Sequence, residues 1–246
     1  MIGGSVIRKF LKRFGRDVVM YHHTTHPVAR RMHLLERHGV NLVLDIGANV
    51  GHFGHELRSL GYRGRIVSFE PLKSAYAQLK TAAQGDELWT THNVAIGGED
   101  GWSEINVAAN LQSSSLLAML PRHLDSAPQS SYLGVEKIQI RRLDSVLPEV
   151  MKPGEVLYVK SDTQGYESEV VNGGEEALRR AVGVQMELSL VPLYSGETLL
   201  ADMILELDKR GLQLMSIEPA FADPVTGQLL QVDGIFFRVS SAHGLA

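Results

Sequence analysis

The sequence predicts an α/β protein with a mostly parallel, doubly wound sheet, and three observations support this. Short apolar, β-branched runs alternate with helix-length segments along the chain. A glycine-bearing turn, Asp45-Ile46-Gly47-Ala48-Asn49-Val50-Gly51, follows the first of those runs. An acid, Glu70, ends the second. The length of 246 residues suits one large domain. Hydrophobic residues make up 44% of the chain and charged residues 21%, which is ordinary for a globular protein and excludes a disordered or fibrous one. The net charge of −4 argues against a general nucleic-acid binder, which needs basic surface to displace counterions. With Cys at 0 there is no disulfide, no thiolate metal site and no cysteine nucleophile. No apolar run approaches the ~20 residues that span a bilayer. The first residues do not read as a secretory signal, so a cytoplasmic location is the default expectation.

In chain order, helices are expected over residues 5–16 and 27–38, the latter opening on Pro27. Residues 41–46 read as a buried strand, 51–60 as a helix, 65–69 as a strand and 74–83 as a helix. Residues 88–96 read as a third strand. The stretch 97–150 is irregular and reads as an inserted loop or small hairpin over the sheet edge. A buried strand over 155–159, a helix over 167–181, a strand over 183–188 and a helix over 199–210 follow. The final runs, 212–217 and 233–239, have only a loop with Pro219, Pro224 and Gly227 between them. They read as a C-terminal antiparallel hairpin. The expected organisation is an N-terminal helical extension over 1–40 and one domain over 41–240.

Ligands of such sheets bind at the carboxyl ends of the strands. Starting from Gly47, a dinucleotide fingerprint needs glycines at positions 49 and 52, where Asn49 and His52 stand. The pattern is instead D-x-G-x-x-x-G. Its leading carboxylate, Asp45, repels a pyrophosphate but suits an ammonium or sulfonium group. A plain strand-to-helix turn is the simpler alternative. Glu70 stands where an acid holds a ribose diol, both hydroxyls donating to one carboxylate.

These pieces resemble the class I S-adenosylmethionine-dependent methyltransferases, and within them the FkbM family. The resemblance rests on Val43–Gly51, Phe69-Glu70-Pro71, Asn93–Gly97, Ser113–Leu116, Arg142-Leu143-Asp144 and above all Lys160-Ser161-Asp162-Thr163-Gln164-Gly165-Tyr166-Glu167. It runs from about residue 40 to 238, and departs at Ser161, where the family usually has an apolar residue. It implies a Rossmann-like fold with a seven-stranded sheet and O-methylation of a sugar or glycosylated metabolite. Gly47, Asn49 and Gly51 would line the methionine end of the cofactor, with Asp45 supporting the loop or the amino group. Glu70 would take the ribose and Asn93 and Ala95 the adenine. Asp162 would face the sulfonium and the acceptor. Ser114, Gln164 and Tyr194 fall on the acceptor side. The acceptor class is a small molecule, an oligosaccharide or a glycolipid. A non-catalytic cofactor-binding scaffold of the same fold and a nicotinamide dehydrogenase are the competing classes.

A sugar hydroxyl is a poor nucleophile and needs a general base. Asp162 and Glu187 end adjacent strands and are the expected pair, one taking the proton while the other holds substrate or a metal. Proximity would push one of their pKa values up. Helix capping by Asp162 and an Arg partner for Glu187 are the plainer readings. A divalent metal would have Asp162, Glu187 and Asp233 as its oxygen ligands. Tyr21-His22-His23-Thr24-Thr25-His26 spaces His22 and His26 for a metal on a helix or for a lid over the acceptor, although Thr24, Thr25 and Pro27 disfavour that helix. His52 can reach the cleft, His55 reads as packing, and Asp144 reads as an N-cap. Over residues 5–16, Val6, Phe10, Leu11 and Phe14 recur at helical spacing beside Arg8, Lys9, Lys12, Arg13 and Arg16. Such a helix serves as a membrane-surface contact or packs on its own domain or the partner of a homodimer. The acceptor pocket is expected from residues 17–30 and 97–150.

Overall fold

The computed structural model describes residues 8–239. Residues 5–7 of the expected first helix, with Val6, and residue 240 lie outside the described residues. A short helix, α1, covers residues 8–12, and α2 covers Pro27–Arg37. Then come β1 (Leu42–Ile46), α3 (His52–Ser59), β2 (Arg65–Phe69), α4 (Lys73–Ala82), β3 (Trp89–His92), β4 (Ala95–Gly97) and β5 (Gly101–Ala108). The second half holds α5 (Pro121–Ser126), a 3-10 turn at Pro128–Ser130, β6 (Tyr132–Arg142), α6 (Leu143–Val150), β7 (Leu157–Ser161), α7 (Glu167–Asn172) and α8 (Glu175–Arg180). It closes with β8 (Gly183–Ser189), α9 (Leu200–Asp208), β9 (Leu212–Ala222) and β10 (Leu229–Arg238).

The seven-stranded sheet has the order β3-β2-β1-β7-β8-β10-β9. Its first five strands are parallel, and β10 runs antiparallel to both β8 and β9, as the hairpin reading expects. The fold is Rossmann-like, and β1 is the switch point, with the chain going to β2 on one side and β7 on the other. Alternation along each strand feeds two cores. Leu42, Leu44 and Ile46 of β1 pack with the α6, α7, α8 and α9 side chains, and Val43 packs with Leu35 of α2, Leu57 of α3 and Leu79 of α4. Each such buried Leu contributes about 1.5–3 kcal/mol by leaving water.

Three expectations are corrected. The strand read over 88–96 is two strands in two sheets, because Asn93 turns the chain by donating its Nδ2 to the Glu70 and Pro71 carbonyls, 2.9 Å each. The stretch 97–150 is not irregular: it holds β5, β6, α5 and α6, and β4, β5 and β6 form a second, three-stranded sheet. Its apolar face, with Ile105, Ile138 and Ile140, packs on Leu72 and Ala75. The helix read over 167–181 breaks at Gly173-Gly174. A Cβ at Gly173 would lie 2.0 Å from the Gly97 carbonyl oxygen, so the helix can meet β4 only through glycine. The short α8 is capped from outside: Asp144, expected to cap its own helix, accepts the backbone N–H groups of Glu176 and Ala177 at 3.1 and 2.8 Å.

Candidate active site

A cleft of about 680 Å³ opens at the carboxyl ends of β1, β2, β7 and β8, within the range of small-ligand sites. The turn after β1 is pinned from three sides. Gly47 and Ala48 donate to the Phe69 carbonyl at 3.0 Å each, and Asp162 donates its backbone N–H to the Ile46 carbonyl at 3.0 Å. Gly47 has φ +74°. A Cβ there would lie 1.8 Å from the Asp162 carbonyl oxygen, so the β1 and β7 loops touch backbone to backbone. Asn49 follows with φ +48°, and its backbone N–H donates to Glu70 Oε2 at 2.8 Å. Glu70 Oε1 accepts from Leu72 N–H at 2.9 Å. Burial pushes the Glu70 carboxyl up to about 7, against the pull of those two N–H groups.

A cluster of carboxylates lies at the ends of β7 and β8. Gln164 donates from Nε2 to Asp162 Oδ1 at 2.9 Å and to Glu187 Oε2 at 2.5 Å. Its Oε1 accepts from the Tyr194 hydroxyl at 2.6 Å, which fixes the amide with both hydrogens toward the carboxylates. Gln164 holds φ +55°, secured by Ser115 Oγ donating to its carbonyl at 2.7 Å. Glu187 Oε2 also accepts from Gln231 Nε2 at 3.0 Å. Burial, then Asp162, Asp233 and Glu167, raise the Glu187 carboxyl well above the usual carboxylate range, and Lys160 opposes them. Asp233 lies directly across from Glu187 in the β8–β10 pair, and Glu218 across from Asp233 in the next. The three acids therefore share one face of the sheet.

Lys160, quoted in the motif but given no role from sequence, is the central cation of the cleft floor. It is 5% exposed, and its Nζ lies 3.4 Å from Asp45 Oδ1 and 3.4 Å from Asp162 Oδ2. Burial lowers its pKa, but Asp162, Asp45, Asp233 and Glu187 outweigh that and leave it raised. The signal was in the sequence: a lysine inside the apolar run Leu157–Ser161 needs buried partners, and position i+2 on the same strand face is Asp162. Lys160 also lies 5.3 Å from the Phe53 ring centroid, and Arg31, from α2, lies 5.2 Å from it. Arg31 is 2% exposed and pairs with Glu218 at 3.2 Å and Glu56 at 2.7 Å. His123 lines the cleft; burial pushes it down to about 4, so it is neutral at pH 7.

Of the residues expected from sequence, Gly47, Asn49, Glu70, Ala95, Ser114, Asp162, Gln164, Glu187 and Asp233 line the cleft, and His52 joins them. The others are placed elsewhere. Asp45 is fully buried behind the loop, bound to Ser68 Oγ at 3.0 Å and to Lys160, because strand alternation turns it to the face that Val43 shares with α2, α3 and α4 and its register sets it between Ser68 and Lys160. Gly51 starts α3 and faces Leu79, Ala82 and Trp89 rather than ligand. Asn93 holds the Glu70 turn, leaving Val94, Ala95 and Ile96 as the wall. Tyr194 is buried behind Gln164. His22 and His26 lie in the turn before α2, away from the cleft; His22 Nδ1 bonds to Thr24 Oγ1 and His26 packs on Tyr21. Residues 17–30 do not line the cleft, whereas part of 97–150 does. Ser161 is buried off the cleft, and His55 packs on Trp89. Among the described residues no group of three or more His, Cys, Asp or Glu side chains is arranged to hold a metal ion. The set expected at Asp162, Glu187 and Asp233 is not assembled, because the Gln164 amide bridges the first two. No helix of the described residues is long and apolar enough to cross a membrane.

The chain is similar to known proteins. It is 25% identical over 163 residues to the 2-O-methyltransferase NoeI of Sinorhizobium fredii, covering 63% of this chain and 66% of that protein. It thus spans just under two thirds of the length of that relative. Among solved structures it is similar to an rRNA methylase from Streptococcus thermophilus, with TM-score 0.48, 10% identity and coverage of 87% of this chain and 98% of that one. It is also similar to TehB from Haemophilus influenzae, with TM-score 0.46, 9% identity and coverage of 85% and 61%. Residues 45–214 match the methyltransferase FkbM domain, and the chain belongs to the FkbM methyltransferase family.

Proposed function

We propose that this chain transfers a methyl group from S-adenosylmethionine to a hydroxyl of a sugar or glycosylated acceptor. The observation that carries the reading is the Asp162–Gln164–Glu187 bridge, placed in one cleft with the Gly47 loop and Glu70. The family, and the name 2-O-methyltransferase borne by the Sinorhizobium relative, support it.

The residues present fit the cofactor. Each Glu70 oxygen holds one backbone N–H and keeps a lone pair, so a ribose diol can donate to both. Val94, Ala95 and Ile96 form an apolar wall for a flat adenine. Gly47 and Asn49 bring backbone to the rim where the methionine end would lie. When bound, S-adenosylmethionine supplies an electrophilic methyl carbon. This chain supplies position and a proton acceptor. Gln164 holds two carboxylates apart at fixed distance, so an acceptor hydroxyl meets an oriented base. Glu187 is the proposed base, because its raised pKa suits it to take a hydroxyl proton.

Calorimetric titration with S-adenosylhomocysteine should show micromolar binding by the wild type. Binding should weaken about tenfold or more in Glu70→Gln, where one oxygen becomes a donor facing an N–H group. No binding by the wild type, or binding of NADH instead, would overturn the reading. The base has its own test. Asp233 carries a negative charge that raises the Glu187 pKa, so Asp233→Asn should move the Glu187 titration to lower pH. Carboxyl-carbon NMR titration reads this without an acceptor. An unchanged or upward-shifted midpoint would remove the electrostatic argument for Glu187.

A further inference from the structure

Six large apolar side chains of the segment leading into α2 stand in solvent: Phe10 at 59% exposure, Phe14 at 66%, Val18 at 53%, Val19 at 50%, Met20 at 67% and Tyr21 at 57%. The domain leaves these side chains uncovered, so packing on it, one of the three fates the pattern allows, does not account for them. Apolar side chains exposed together mark a contact surface. We propose that residues 8–21 form an arm that docks on an anionic membrane surface.

Charge selects that occupant. The arm carries Arg8, Lys9, Lys12, Arg13 and Arg16 against one acid, Asp17, a balance of 5 − 1 = +4. The rest of the chain then carries −4 − 4 = −8. Asp17 is taken by Arg8 at 2.7 Å and Lys12 at 3.8 Å. Lys9, Arg13 and Arg16 have no ion-pair partner among the described residues. Binding of such a segment to a bilayer grows with the apolar area it inserts and with its attraction to anionic lipid, and the arm supplies both. The Phe10 and Phe14 rings pack edge to face at 5.2 Å, a compact aromatic wedge of the kind that sits at the headgroup boundary. Two identical arms would repel each other, which disfavours arm-to-arm pairing of two copies. The acidic body would be held off an anionic bilayer, so the arm would also set which side of the protein faces it.

Vesicle flotation of the full chain tests this. The protein should float with phosphatidylcholine vesicles containing about 30% phosphatidylglycerol, not with pure phosphatidylcholine, and should release at about 0.5 M salt. Arg13→Gln with Arg16→Gln should weaken binding about five-fold per cation. Phe10→Ser with Phe14→Ser should reduce it about tenfold or more. Both pairs are exposed, so thermal unfolding should be unchanged and will report any loss of fold separately. Wild type that never floats, or floats equally with both variant pairs, overturns the proposal. So does a dimer, seen by light scattering, that the Phe10/Phe14 variant dissociates while the wild type ignores vesicles.

Discussion

Gly47→Ala should destabilise the protein by about 3 kcal/mol or more, as left-handed backbone strain and overpacking act together. The overpacking is the larger effect. The new methyl would fall 1.8 Å from the Asp162 carbonyl oxygen and 2.8 Å from its carbonyl carbon, neither of which is a flexible side-chain end. Relief requires the β1 and β7 loops to part, which moves Asp162 and the Gln164 bridge. Gly39→Ala is the control, because Gly39 has a similar φ of +65° and nothing within 4 Å of the added methyl. It should cost about 1 kcal/mol, the backbone strain alone. Urea unfolding of the two variants checks this. Equal losses would mean that the close approach at Gly47 is not what holds the loops.

Lys160→Met should cost about 3–5 kcal/mol at pH 7, because removing one partner strands the other buried charges. Asp45 is the most exposed to this loss, being fully buried with Ser68 and Lys160 as its partners. Burial already raises its pKa and Lys160 opposes that rise, so without Lys160 it rises further. The sign of the pH effect follows. Protonated Asp45 needs no cation, so the deficit of the variant should shrink as pH falls and grow as pH rises. Adding Asp45→Asn to Lys160→Met should restore part of the lost stability. Denaturant titrations of the single and double variants at several pH values measure both effects. A deficit independent of pH and unrelieved by Asp45→Asn would show that Lys160 acts through its packing on Phe53 instead.

Much of the site was legible in the sequence because its elements are local. Gly47, Asn49 and Glu70 sit at strand ends, and an apolar run followed by a polar turn marks a strand end without knowledge of its neighbours. Asp162 and Glu187 were readable for the same reason. The errors have a common origin. Gly51 belongs to the right turn but faces α4 and Trp89, whereas Asp45 supports the loop from behind, one of the two roles expected of it; which way a position points depends on strand parity and on what packs behind it. Asn93 ends the right strand, but its amide is used to bend the chain. The three histidines of residues 22–26 are close in sequence and do not line the cleft. In the stretch 97–150, the strands β5 and β6 do not stand out in the sequence because Trp102, Leu133 and Val135 put apolar side chains at exposed positions, which blurs the apolar-in, polar-out alternation.

By itself, then, the sequence determined the alternation of strands and helices from β1 to α4 and from β7 onward, save the break between α7 and α8, along with the turn after β1, the acid after β2 and the carboxylates after β7 and β8. Each rests on periodicity and turn chemistry within a few residues. The tertiary structure alone decided which strands are neighbours. Because β10 lies between β8 and β9, Asp233 stands beside Glu187 and Glu218 beside Asp233, and the acid set wider than a pair comes from that placement. It alone brought Arg31 from α2 and His123 from α5 into the same cleft, and set Tyr194 behind Gln164. These contacts join segments tens of residues apart. Strand pairing and burial over that range arise from the packing of the whole chain, and no short stretch of sequence encodes them.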